Sequence, residues 1–148
     1  MIRLSLKCYP LVIVFIIAAG CHSSRNETHG KDVEKTFYGN GKPESVTTIV
    51  NGKKNGIQEY YFGNGKLAST VNFVNGKMQG ELKAYYPDGT LRIIAHYDSG
   101  SANGETQKFY RDGKIERIQV YDKGRLIYEK KYTEEGKILY EDHYDEAE

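Results

Sequence analysis

From residue 33 onward, apolar and polar positions are mixed in runs of roughly 6–9 residues, each closed by a glycine-containing dipeptide. That is the usual length of a strand. Ten strands are expected, over 33–38, 43–50, 57–62, 66–74, 81–86, 90–98, 105–110, 114–122, 126–132 and 137–144. Asn-Gly closes runs at Gly41, Gly52, Gly56, Gly65, Gly76 and Gly104, and Asp-Gly at Gly89 and Gly113. These dipeptides accept positive φ at low steric cost and are the strongest short-range hairpin signal. The glycines also keep time. Gly41, Gly65, Gly89 and Gly113 recur every 24 residues, as do Gly52, Gly76, Gly100 and Gly124, and a third column of Gly56, Gly80 and Gly104. The last unit is one residue shorter, with Gly136 following Gly113 by 23, as is normal at the end of a repeat array.

Each unit therefore reads as two antiparallel strands. The tight turn is expected at the first glycine column, with a longer loop across the second and third. Short connections favour pairing between sequence neighbours, so the fold class is all-β, an elongated single-layer antiparallel meander. Nine inter-strand gaps of ~4.8 Å would extend it over about 43 Å. The composition agrees: 13 Tyr, 5 Phe and 16 Gly stand against 3 Pro and no Trp.

The amino terminus has a different character. Arg3 and Lys7 precede an unbroken apolar run, Leu11 to Ala19, too short for a bilayer span and suited to the core of a signal peptide. Small residues lead into Cys21, and Ile17-Ala18-Ala19-Gly20-Cys21 resembles a bacterial lipoprotein lipobox. The resemblance implies a signal peptide at 1–20, acyl chains on Cys21, a polar tether at 21–32, and membrane attachment through those acyl chains. The alternative is an ordinary signal peptide cut after Ala19 or Gly20, leaving Cys21 unmodified. Cys8 leaves with the signal, so no disulfide forms within one mature chain. Loss of Arg3 and Lys7 takes the net charge from +1 to −1. That balance excludes the basic footprint of a nucleic-acid binder. His22 follows the cysteine where an Asp would imply inner-membrane retention, so a lipid anchor in the outer membrane of a bacterial envelope is expected.

The repeat domain, 33–145, is followed by an acidic tail at 146–148. Its units read FYGNGKP (37–43), YFGNGKL (61–67), YYPDGTL (85–91) and FYRDGKI (109–115), alternating with IVNGKKNG (49–56), FVNGKMQG (73–80) and YDSGSANG (97–104). This pattern resembles the MORN-repeat variant family of bacteria. The resemblance implies a repeat sheet; some members carry an antitoxin label, and eukaryotic relatives are linked to membrane contacts and scaffolding.

Two aromatic columns run through the units. Phe37, Tyr61, Tyr85, Phe109 and Tyr132 form one; Ile49, Phe73, Tyr97, Tyr121 and Tyr144 form the other. With no second layer, such rings are expected to cover one another along one face. The same strip is a candidate binding face for sugar rings, a peptide or lipid chains, made by Tyr61, Phe73, Tyr85, Tyr97, Phe109 and Tyr121. No catalytic residues, metal ligands or cofactor are assigned. His22 and His29 fall in the tether, while His96 and His143 share one repeat column two units apart, too distant to bind one ion. No nucleophile elbow, His-Glu-x-x-His motif or phosphate-binding loop is present. The expectation is a non-enzymatic, envelope-anchored binding or scaffolding lipoprotein for a protein or envelope polymer. The alternative is an immunity or antitoxin-type protein acting on a toxin delivered to the envelope.

Overall fold

The computed structural model describes residues 30–144. The expected signal peptide at 1–20, Cys21, most of the expected tether and the tail at 146–148 lie outside the described residues. The strands are β1 (Lys31–Phe37), β2 (Pro43–Val50), β3 (Lys53–Lys54), β4 (Gly56–Tyr61), β5 (Leu67–Val74), β6 (Lys77–Tyr85), β7 (Leu91–Asp98), β8 (Ser101–Ala102), β9 (Gly104–Phe109), β10 (Ile115–Asp122), β11 (Arg125–Tyr132) and β12 (Ile138–His143). They form one antiparallel sheet in the order β1-β2-β4-β5-β6-β7-β9-β10-β11-β12, with β3 against β2 and β8 against β7. The meander is thus as expected. The ten-strand count gains two short strands, and β1 starts two residues early because Lys31 and Asp32 pair with Val50 and Ile49.

The turn assignment is corrected. The tightest turns sit at the second glycine column, where Asn51-Gly52, Asn75-Gly76, Ser99-Gly100 and Lys123-Gly124 each have both residues at positive φ. That backbone is the two-residue type I′ turn, whose twist matches that of the strands it joins. The first column closes three-residue loops. Gly41, Gly65, Gly89, Gly113 and Gly136 donate their N–H to the carbonyl three residues back, at 2.7–3.0 Å. Their positive φ (91 at Gly65, 101 at Gly89, 84 at Gly113) lets the chain re-enter the sheet through a bulge. The extra residue of each bulge, after the loop, is Glu44, Ala68, Arg92, Glu116 or Leu139. Third-column glycines lie inside the sheet, and Gly56, Gly80 and Gly104 stand directly opposite Phe73, Tyr97 and Tyr121.

Pairing partners share a face of a sheet, and neighbours along a strand alternate. Tracing the register across the strands puts Ser45, Thr47, Gln58, Val71, Ala84, Ala95 and Glu129 on one face, here face I. Those seven are the buried residues among the described ones, and only Val71, Ala84 and Ala95 are apolar. Most are small side chains shaded by longer neighbours. No large side chain is fully buried among the described residues, so this sheet is not held by an apolar core of the usual kind.

Hydrogen bonds between successive units do that work. On the loop edge, the hydroxyls of Tyr38, Tyr86 and Tyr110 donate to the carbonyls of Tyr61, Phe109 and Tyr132 at 2.6, 2.8 and 2.8 Å. Lys42, Lys66 and Lys114 donate Nζ to the carbonyls of Asn64, Asp88 and Glu134. Asn40 and Asn64 donate Nδ2 to Gly63 and Pro87, both at 3.1 Å. On the opposite edge, the amides of Gly76, Gly100 and Gly124 donate to the carbonyls of Lys54, Met78 and Ala102. Each bond contributes about 1 kcal/mol net. Together they give the nearest-neighbour coupling that holds a one-dimensional repeat array.

Candidate functional site

The aromatic strip expected from the sequence splits between the two faces. Tyr61 donates its hydroxyl to Glu59, 2.7 Å away and two residues back on the same strand, and since Glu59 is next to Gln58 of face I, both stand on the opposite face, face II. Tyr85 and Phe109 follow by register, and Lys130 lies 5.8 Å from the Tyr132 ring centroid on the same side. Phe73, Tyr97 and Tyr121 instead follow Val71, Ala95 and Gln119 by two residues and so stand on face I. Lys54 shows this directly, lying 5.2 Å over the Phe73 ring while donating to Gln58 of face I. The two columns are an odd number of positions apart across the sheet register, which the 24-residue period alone does not reveal. No single face holds all six candidates.

The middle units carry an open cleft on each face. The face II cleft, about 480 Å³, is lined by Ile57, Thr70, Asn72, Glu81, Lys83 and Tyr85 among others. Its apolar wall is Ile57, 61% exposed. Its polar side is the Lys83–Glu81 pair at 2.6 Å, with Asn72 donating to the Gln79 carbonyl at 3.1 Å. Beside it, the hydrogen bond to Glu59 raises the Tyr61 phenol above its usual range. The face I cleft, about 460 Å³, lies over Ser69 and Ala84, with Phe62, Leu82, Arg92 and Ile93 in its walls. Both are within the size range of small-ligand pockets. Phe109 lines a third, smaller hollow of about 310 Å³ with Leu91 and Arg111. His96 and His143 each have a separate partner: His96 Nδ1 lies 2.9 Å from the Glu105 carbonyl, and the His143 ring packs 4.9 Å from that of Tyr128.

Sequence reasoning passed over the residues that matter most here. The first four units each have two adjacent aromatics, of which only the first belongs to the ring columns expected from the sequence; in the last unit Tyr132 is followed by Thr133. The second, Tyr38, Phe62, Tyr86 and Tyr110, forms the column at the loop edge. The signal was the hydroxyl: three tyrosines and one phenylalanine at a fixed period. The bulge residues Ala68 and Arg92 left no comparable trace, because a bulge is invisible until the strand pairing is known.

These features define a class: a single-sheet β-hairpin repeat protein whose repeated residues couple unit to unit. The family model described as the MORN repeat variant matches residues 54–75, 78–99, 102–123 and 127–146, and the chain belongs to that family. The β1–β2 hairpin precedes the matched units. Among solved structures, the chain is similar to one described as accessory secretory protein 1,2 and 3 in Streptococcus pneumoniae, with 16% identity and a TM-score of 0.36. The similarity covers 78% of this chain and 20% of that one, so this chain spans about a fifth of its length. No match was found among curated proteins.

Proposed function

We propose that the chain is a non-enzymatic binding module that holds a protein partner against the faces of its middle units. The observation that supports this is a division of labour. The repeated Tyr, Asn and Lys side chains are committed to bonds between units, whereas β4 to β7 present clefts on both faces. Cys21, in the sequence Ala18-Ala19-Gly20-Cys21, is the proposed acyl anchor, tethering the sheet to the outer membrane. Two or three acyl chains suffice for stable attachment, at about 0.8 kcal/mol per buried methylene.

The test is crosslinking from intact cells, using the full chain with a photoreactive residue at position 85, in the face II cleft, or at position 134, in the last loop. Recovery of one protein through position 85 and not through 134 supports the module. Equal recovery from both, or from neither, would refute it. Recovery of a delivered toxin selects the immunity role. Separately, Cys21→Ser is expected to release the protein from membranes, and an unmodified Cys21 in the mature chain would overturn the anchor.

A further inference from the structure

The face I cleft arises where one unit departs from the others at several positions at once. Phe62 stands in the loop-edge column that is tyrosine at 38, 86 and 110. Those tyrosines donate to the carbonyls of Tyr61, Phe109 and Tyr132. Phe62 has no hydroxyl to offer the equivalent carbonyl, that of Tyr85. Ala84 takes the register position that holds Tyr60, Lys108 and Lys131 in other units, and Ala68 takes the bulge position held elsewhere by Glu44, Arg92, Glu116 and Leu139. The floor is therefore low, and the walls, Phe62, Leu82 and Ile93, are apolar.

The charge is equally particular. One unit further along, the bulge residue Glu116 pairs across the strands with Lys108 at 2.9 Å. In the cleft the corresponding two residues are Arg92 and Ala84, so a guanidinium faces a methyl group. Nor do Arg111 and Arg117 offer a parallel: Arg111 pairs with Asp88 and Arg117 with Glu129, at 2.9 and 2.7 Å. Arg92 is exposed and has no ion pair or hydrogen bond among the described residues. Its charge is available to a ligand.

Three features thus converge: an apolar hollow, a cation at its rim, and a carbonyl that lacks the donor its counterparts have. A peptide's last residue matches them point for point. Its apolar side chain fills the hollow, its α-carboxylate meets Arg92, and its amide N–H donates to the Tyr85 carbonyl. We propose that the face I cleft is a receptor for a partner's free carboxyl terminus ending in an aromatic or branched aliphatic residue. This rests on the binding-module reading and specifies the chemistry of the partner. Arg recognises carboxylates through paired N–H donors, which makes the contact specific for the free acid.

The test uses the full chain with labelled alanine, leucine and isoleucine methyls, titrated with acetyl-Gly-Phe, its C-terminal amide, and its analogue methylated on the phenylalanine nitrogen. The free acid is expected to shift the methyls of Ala68, Ala84 and Ile93 and to leave that of Ala102 in place. The amide and the N-methyl analogue should each bind at least tenfold more weakly. Arg92→Gln, at an exposed position, should lower the affinity of the free acid to that of the amide and leave the amide unchanged. Equal binding of acid and amide, indifference to Arg92→Gln, or no shift of the cleft methyls at millimolar peptide would each overturn the site. If position 85 still captures a protein in cells, the module stands without this site. If the peptide binds but no protein is captured, the site stands and the cellular role falls.

Discussion

The middle and the last units share one backbone register and cover face I in opposite ways. In the middle, Ser69, Leu82 and Ala84 leave the face hollow and nearly uncharged. In the last unit the corresponding positions carry Arg117, Glu129 and Lys131. Glu129 is buried there, accepting from Arg117 at 2.7 Å, Gln119 at 2.9 Å and the Tyr144 hydroxyl at 3.4 Å. A single-layer sheet has nothing to press against this face. It is either filled by side chains that satisfy one another or left open. The filled end leaves no hollow on this face, and the open middle is where the proposed ligand would sit.

Breaking the filled end should have the largest effect. Glu129→Ala strands the Arg117 guanidinium, whose side chain is 29% exposed, and should cost about 2–3 kcal/mol, less than for a fully buried pair. Replacing both partners at once, Arg117→Ser with Glu129→Leu, reproduces the middle-unit residues Ser69 and Leu82. It should recover at least half of that loss in a denaturant melt. A double variant no more stable than Glu129→Ala would mean that the two regions are not interchangeable solutions.

The inter-unit ladder comes next. Tyr110→Phe removes a hydroxyl bonded to the Tyr132 carbonyl at 2.8 Å and should cost about 1 kcal/mol. The type I′ turns follow. Ser99 and Lys123 sit at φ 52 and 49, a region asparagine tolerates better than either. Ser99→Asn and Lys123→Asn should each stabilise by about 0.5 kcal/mol, read as a raised Tm. Asn75→Ser should reverse the sign.

The smallest effect is in the loops and depends on pH. Hydrogen bonds from Thr90, then the charge of Arg111, hold the Asp88 carboxyl below its usual range. A carboxyl with a depressed folded pKa contributes stability above its unfolded value, near pH 4, and loses it as pH falls through the folded value. The Tm difference between the natural chain and Asp88→Asn should therefore be constant from pH 7 to 5 and shrink below about pH 4. A difference that grows on acidification would contradict the assignment.

The sequence made the period, the meander and the hairpins legible because glycine and asparagine report directly on backbone conformation. It did not show which column makes the tightest turn, since Asn-Gly suits both loop types. Nor did it show the faces. Tyr61 and Phe73 look equivalent as ring columns, and only the register reveals that they stand on opposite sides. The clefts were least legible of all. They come from what Phe62, Ala68 and Ala84 lack relative to their repeat partners, and a search for chemically active residues passes over such positions.

Phe62→Tyr brings the two halves of the account into one measurement. Supplying the hydroxyl should complete the ladder at the Tyr85 carbonyl, making the unit like its neighbours, while closing off the acceptor in the cleft. Melting and acetyl-Gly-Phe binding are to be measured on the same preparation. The expected result is a raised Tm, by about 1 kcal/mol of added stability, together with at least tenfold weaker peptide binding. A lowered Tm, or a raised Tm with binding unchanged, would contradict it.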